Sequence, residues 1–377
     1  MAASYWFEAV PEEKRFLSLE GNLKVDTVVV GGGIAGLTAA YLLSKNGVKV
    51  ALAEQGVIAA GDSGYTTAFI SRFLDNAEAT KKTWDAGSAA LQYVEDIVQN
   101  ENLDCEFRRV SSLYFTKKQG GTDLKREFEV LAALDGAPRF LEKPTAQKQC
   151  SFGVEAAMHV EREGQFHIRK YLSGIARAMQ ERGAAIFEET PVVAVEDQGR
   201  TVRCKNGVIT TERTVIATGM PTLFPRVAEL VTPYLTFVIG AEFEEPRPFG
   251  EYLFWDDEEP YHYFRWVNSR EVIAGGEDRL MRGPKPAASP HEALAAFIGK
   301  TAGVNPSAIV HRWQGSIFAT GDSLPYYGAY PAYGNRIYFA TGFGGNGMTF
   351  GALAGVVISD MILGNENRFA ELFSFNR

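Results

Sequence analysis

Residues 25–54, VDTVVVGGGIAGLTAAYLLSKNGVKVALAE, constrain this chain more than any other stretch. An apolar run, Val28 to Val30, enters three glycines; a helix-period segment follows, and a second apolar strand, Val48 to Ala53, ends on Glu54. This is G-x-G-x-x-G (Gly31, Gly33, Gly36) in a βαβ setting, the pattern of a dinucleotide site. Gly31 permits the tight turn, Gly33 lets a pyrophosphate approach the backbone, and Gly36 lets helix and strand pack closely. The helix N-terminus offers free N–H groups and a positive dipole end to the phosphates. Glu54 follows at about 20 residues, where an acid binds ribose hydroxyls. Gln55 and Gly56 bring no positive charge for a 2′-phosphate, which argues against NADP.

At 377 residues the chain is long enough for two domains. A net charge of −8 gives no general basis for binding nucleic acid. Three widely spaced cysteines, Cys105, Cys150 and Cys204, read as reduced thiols of a cytoplasmic protein, neither a disulfide framework nor a metal site. The opening MAASYWFEAVPEEKRF carries charges where a signal peptide needs an apolar core. Two low-charge stretches, Thr27–Leu43 and Thr341–Leu363, are interrupted by glycines at turn spacing and are not read as membrane spans.

Beyond Glu54 lies a loop of small and hydroxyl residues, GVIAAGDSGYTTAFISRF, then a helical segment from Lys81 to Asn100 and a mixed region, 103–140, with a strand at Ser112–Thr116. Apolar residues at helical spacing from Ile168 to Met179, with Gly183 beyond, predict a capped helix. Strands are expected at Ala185–Phe187, Val192–Val195, Thr201–Cys204 and Arg213–Ala217. From Pro233 to Gly276, aromatic and β-branched runs between turn residues predict an antiparallel sheet. An amphipathic segment near His291–Lys300 precedes a strand at Arg336–Ala340 and a second glycine turn and helix, TGFGGNGMTFGALAGVVISDMILG.

That second turn selects the cofactor. An NAD-type dehydrogenase has no evident use for it, whereas a long flavin dinucleotide does: one helix N-terminus holds the pyrophosphate and another faces the isoalloxazine. Gly342, Gly344, Gly345 and Gly347, with Asn346, let backbone approach a flat ring, and the helix is expected to start near Met348–Thr349. A helix dipole beside the ring would stabilise its reduced anion by up to about 2 kcal/mol where partly buried.

On VVVGGGIAGLTAAYLL, TVIATG, VIAGGEDR, GDSLPYYG and IYFATGFGGNGMTFGALAG, nearly the whole chain resembles the FAD-dependent oxidoreductases related to D-amino-acid oxidase, glycine oxidase and sarcosine oxidase. The opening SYWFEAVPE, the loop GDSGYTTA and the ending ELFSFNR are most similar to a bacterial branch whose members often carry a C-terminal Rieske domain. The sequence lacks the Cys/His pairs of such a cluster, so none is expected here. The resemblance implies an α/β fold: a discontinuous Rossmann-like FAD-binding domain (1–80, 150–225, 312–377) with an inserted α+β substrate domain on an antiparallel sheet (81–149, 226–311). It places Gly31, Gly33, Ala35 and Gly36 on the pyrophosphate, Glu54 and Gln55 at the ribose, and Ser63, Thr66 and Thr67 along the phosphates and ribityl chain. Val192 falls at adenine, and Gly219 with Gly342 to Thr349 fall near the flavin. With no cysteine or histidine in these segments, the FAD is expected to be non-covalent.

The implied chemistry is oxidation of an amine or amino-acid C–N bond to an imine, by hydride transfer to the flavin N5. In YHYFRWV, strand alternation sets Tyr261, Tyr263 and Arg265 on one face, where an arginine and two tyrosines suit a carboxylate clamp; the competing reading is a salt-bridged Arg265. Amino-acid-oxidising relatives carry a carboxylate-binding arginine where RWQGSIFATGDSLPYYG has Ile317, which weakens the case for a simple α-amino acid. Trp313, Gly315 and Thr320 look more like the gamma-glutamylputrescine oxidase branch, whose substrates are amines. The acceptor is oxygen or another oxidant: Tyr261–Arg279 holds no lysine of the kind sarcosine oxidases place at N5. The other open reading is a flavoprotein that serves a redox partner without an amine substrate of its own.

Overall fold

The computed structural model describes residues 4–9, 16–72, 80–244, 249–284 and 288–377. Parts of two expected features, residues 10–12 of the opening motif and 245–248 of the aromatic sheet, lie outside them.

Strand Thr27–Val30 sits between Val50–Ala53 and Arg213–Ile216, all parallel. The sheet extends through Ala185–Phe187 on one side and Ile337–Thr341 on the other, and an antiparallel edge strand, Tyr326–Ala329, completes its six strands. Thr27–Val30 and Val50–Ala53 are buried throughout, as expected of parallel strands covered on both faces, and hence their apolar runs. A four-stranded sheet, Gly21–Lys24, Gly207–Thr210, Thr201–Cys204 and Val192–Glu196, flanks it.

The fingerprint helix, Ile34–Lys45, and the C-terminal helix, Gly347–Leu363, share one apolar core. Small residues set their approach: a Cβ at Gly351 would lie 2.6 Å from Ile34 Cγ2, and one at Gly355 2.5 Å from Thr38 Cβ. This crossing brings the two N-termini to the same end of the sheet. The segment Gly344–Leu363 has the length and composition of a membrane span, with a mean hydropathy of 1.4, but 67% of its apolar window is buried in this core.

The third sheet has nine strands. Its order runs Ala308–Ala319, Thr232–Glu242, Glu271–Leu280, His262–Trp266, Leu253–Asp256, Arg108–Thr116, Ala156–Gln165 and Phe69–Ile70, with Arg139–Glu142 also paired to Ala156–Gln165. Pairing is antiparallel except between Leu253–Asp256 and Arg108–Thr116. Aromatic rings fill the core on one face, Phe254 and Phe264 stacked at 4.6 Å.

The expected domain boundaries shift. Phe69–Ile70, Ala156–Gln165 and the whole of Ala308–Ala319 pair into the antiparallel sheet, although all or part of each falls in the segments expected of the cofactor domain. Conversely, Lys81–Asn100, expected in the substrate domain, buries Ala86, Ala90, Leu91, Val94 and Ile97 in the core around the fingerprint helix. Sheet pairing is long-range, so linear boundaries miss it.

Candidate active site

A cavity of about 530 Å³ opens at the carboxyl ends of the parallel strands, between the parallel sheet and the antiparallel one. Its first wall is the glycine turn. A Cβ at Gly31 would collide with the Ala217 carbonyl, and one at Gly36 with the Gly31 carbonyl. Gly31 also has φ +112°, which disfavours any side chain. Gly31, Gly33 and Ala35 line the cavity; Gly36 does not, and its place is the strand–helix contact.

Glu54 closes this turn from below. Its Oε2 accepts the Gly32 N–H at 2.6 Å and its Oε1 the Gly56 N–H at 2.8 Å. Gln55 and Val192 line the cavity beside it. The Ile34 N–H donates to Ser63 Oγ at 3.1 Å, which ties the helix start to the hydroxyl-rich loop. Ser63, Thr66 and Thr67 all line the cavity. The loop is held from outside: Trp6 Nε1 donates to the Thr66 carbonyl at 2.6 Å and Trp313 Nε1 to the Tyr65 carbonyl at 2.8 Å. Asp62 accepts the Ser316 N–H at 3.0 Å; burial pushes its carboxyl upward, more than this bond offsets.

The second glycine turn forms the opposite wall through Gly344, Gly345, Asn346, Gly347 and Met348. A Cβ at Gly344 or Gly347 would meet open space. Two expected residues are elsewhere. Gly342 (φ +78°) packs where a Cβ would strike Thr320 Cγ2, and Thr349 is buried, its hydroxyl bonding the Ser71 backbone N–H and carbonyl at 3.1 Å each. The helix begins one residue earlier than expected, at Gly347, so Thr349 has already turned into the core. Gly219 lines the cavity next to Met220–Phe224.

The antiparallel sheet supplies the last wall: Tyr261, Tyr263, Trp255, Thr236 and Phe69, with Ile317 and Phe318 from the neighbouring strand. Tyr261 and Tyr263 stack at 5.7 Å, Tyr261 donates to Asp278 at 2.9 Å, and the Tyr263 and Thr236 hydroxyls lie 3.1 Å apart. Arg265 breaks the expected trio. It is 3% exposed and does not line this cavity. Its Nε donates to the Thr67 carbonyl at 2.7 Å and its Nη2 to the Phe166 carbonyl at 3.3 Å. Two residues along the strand from Tyr263, the guanidinium reaches the loop backbone behind the cavity; it is neither a clamp within it nor half of a surface salt bridge. Burial lowers its pKa to about 9, which leaves it cationic at neutral pH.

Several lining residues carried no sequence signal of their own. Thr236, Trp255 and Phe69 reach the cavity only through tertiary pairing. Met220–Phe224 was findable, because it follows a parallel strand whose carboxyl end borders the ligand crevice.

Two helix N-termini, neither capped by its N-cap side chain, border one cavity that an aromatic antiparallel sheet closes. That arrangement fits a flavin dinucleotide and defines the class as flavin-dependent oxidoreductase. Residues 26–361 match the family described as DAO, FAD dependent oxidoreductase, and the chain belongs to it. It is therefore an FAD-dependent enzyme. The chain is 25% identical to the putative Rieske 2Fe-2S iron-sulfur protein YhfW of Bacillus subtilis, over 99% of this chain and 75% of that one. It is 26% identical to glycine oxidase of Bacillus licheniformis, over 94% and 98% of the two chains. Glycine oxidase from Geobacillus kaustophilus shares the fold, with a TM-score of 0.82 at 19% identity over 94% of this chain and 99% of that one.

Proposed function

We propose that this enzyme oxidises the C–N bond of an amine that lacks an α-carboxylate, giving an imine that water hydrolyses. The observation that carries the reading is the charge of the substrate wall. Among the described lining residues there is no lysine or arginine, and one of them is Ile317, which the family resemblance sets against the carboxylate-binding arginine of amino-acid-oxidising relatives. Asp62 and the faces of Tyr261, Tyr263 and Trp255 favour a cation over a carboxylate.

FAD, when bound, accepts the hydride equivalent removed from the carbon next to nitrogen. In this reading Gly31, Gly33, Ala35 and Ser63 hold its pyrophosphate, Glu54, Gln55 and Val192 its adenosine end, and Gly344–Met348 its ring. The pyrophosphate meets the N-terminus of Ile34–Lys45, whose dipole favours negative charge. Tyr261, Tyr263 and Trp255 position the amine and exclude water, and the Tyr263–Thr236 hydroxyl pair offers a neutral polar grip on that wall. With no histidine or cysteine among the described lining residues, the FAD is held non-covalently. The buried thiols of Cys105, Cys150 and Cys204 suit a reducing compartment, and we place the enzyme in the cytoplasm.

The test is anaerobic mixing of the yellow protein with primary and secondary alkylamines, and in parallel with glycine, sarcosine and D-alanine. Bleaching of the flavin band by amines ahead of amino acids is the expected result. Faster bleaching by the amino acids would overturn the substrate class. A flavin reduced by dithionite but by neither set would favour a partner-driven role.

A further inference from the structure

Behind the hydroxyl-rich loop lies a second cavity of about 350 Å³, whose walls include Tyr5, Trp6, Arg108, Phe166, Arg265 and Val267. Its charges do not balance internally. Glu106, also on its wall, is paired with Lys170 at 2.7 Å, and Arg108 with Glu251 at 2.5 Å. Arg265 has no acidic partner among the described residues; its bonds go to two backbone carbonyls, and its guanidinium lies 5.3 Å from the centre of the Trp6 ring. A buried cation held by two carbonyls and an aromatic face, attracted by Glu106 without forming an ion pair with it, sits in unusual surroundings, because buried charges are normally paired. Of the remaining walls, Trp6, Phe107, Phe166 and Val267 are apolar, while Tyr5 and Gln165 add polar groups.

We propose that this second cavity is a binding site for a small organic monocarboxylate, its carboxylate on Arg265 and its apolar body against Trp6, Phe166 and Val267. The site is separate from the amine cavity but adjoins it, because Arg265 also holds the carbonyl of Thr67, whose residue lines the FAD side. An occupant would thus pair a charge that has no ion-pair partner among the described residues and fix the same guanidinium that braces the cofactor loop.

The experiment is calorimetric titration of the yellow holoenzyme with butyrate, with 1-butanol as the uncharged isostere. A single saturable site for butyrate and none for butanol is expected. Arg265→Met should weaken butyrate by about tenfold or more, the loss of a charge-assisted pair. Because Arg265→Met also removes the brace on Thr67, Val267→Phe provides an independent arm. It narrows the cavity, keeps the guanidinium, and should abolish butyrate binding while amine-driven bleaching persists. No saturable heat with butyrate would overturn the proposal. So would butyrate binding that survives Val267→Phe or is displaced by a flavin-bleaching amine, since either places the acid in the main cavity.

Discussion

Glu54 accepts the backbone N–H of Gly32 at 2.6 Å, so the acid at the end of the second strand fastens the middle of the phosphate turn at the end of the first. Its other oxygen takes the Gly56 N–H. The carboxylate therefore shapes the turn, in addition to any bond with ribose. Glu54→Ala should weaken FAD binding about tenfold or more, since hydrogen bonds to charged groups contribute about 1.5–3 kcal/mol each. Glu54→Gln, which keeps one acceptor, should fall between. The check is the FAD dissociation constant by flavin fluorescence; equal retention by all three proteins would remove Glu54 from cofactor binding.

Ile317 lines the amine cavity on a strand paired through Tyr234. Ile317→Arg would add the missing cation. Relative to wild type, the ratio of kcat/KM for a carboxylated amino acid to that for the matching amine should rise by about tenfold or more, the scale of one charge-assisted pair. Steady-state kinetics on glycine and methylamine, with an artificial acceptor, reads this ratio.

Gly36 leaves no room for a methyl group against the Gly31 carbonyl. Gly36→Ala should destabilise the fold by about 1–3 kcal/mol through overpacking, and backbone cannot yield as a side-chain tip would. Denaturant unfolding of the FAD-loaded protein measures it, and an unchanged midpoint would contradict the close contact.

His262 lies between Asp256 (3.0 Å) and Glu277 (3.3 Å), one residue from each cavity tyrosine. Burial opposes its charging, but the two carboxylates outweigh it and raise its pKa. A pKa raised by folding gives stability that is full below the unfolded value, about 6.5, and is lost as pH rises through the folded one. The difference in unfolding free energy between wild type and His262→Gln should be largest near about pH 6 and shrink in alkali. A difference that does not change with pH would leave His262 only its stacking on the Phe297 ring, 4.1 Å away.

Much of the cofactor half could be read locally. The turn at Gly31–Gly36 and the strands beside it are short-range patterns with steric reasons, and the strands at Ala185–Phe187 and Thr201–Cys204 fall where expected. What the sequence hid is long-range. Arg265 looks like a clamp when the strand is read alone; only the approach of Thr67 and Phe166, from distant parts of the chain, directs its guanidinium to backbone carbonyls. Gly342 and Thr349 belong to the expected turn, but a one-residue earlier helix start rotates Thr349 toward Ser71. Ala156–Gln165 is buried on both faces except at Glu161 and Arg162, so its sequence carries no period of two to read.

The crossing of Ile34–Lys45 with Gly347–Leu363 at Gly351 and Gly355 also dictates when this protein can mature. The fingerprint helix has as a neighbour a helix that is made only after every strand of the three described sheets. Vectorial, amino-terminus-first folding is therefore closed to the cofactor half. The phosphate turn waits, with that side of its helix uncovered, until residues 347–363 have been made.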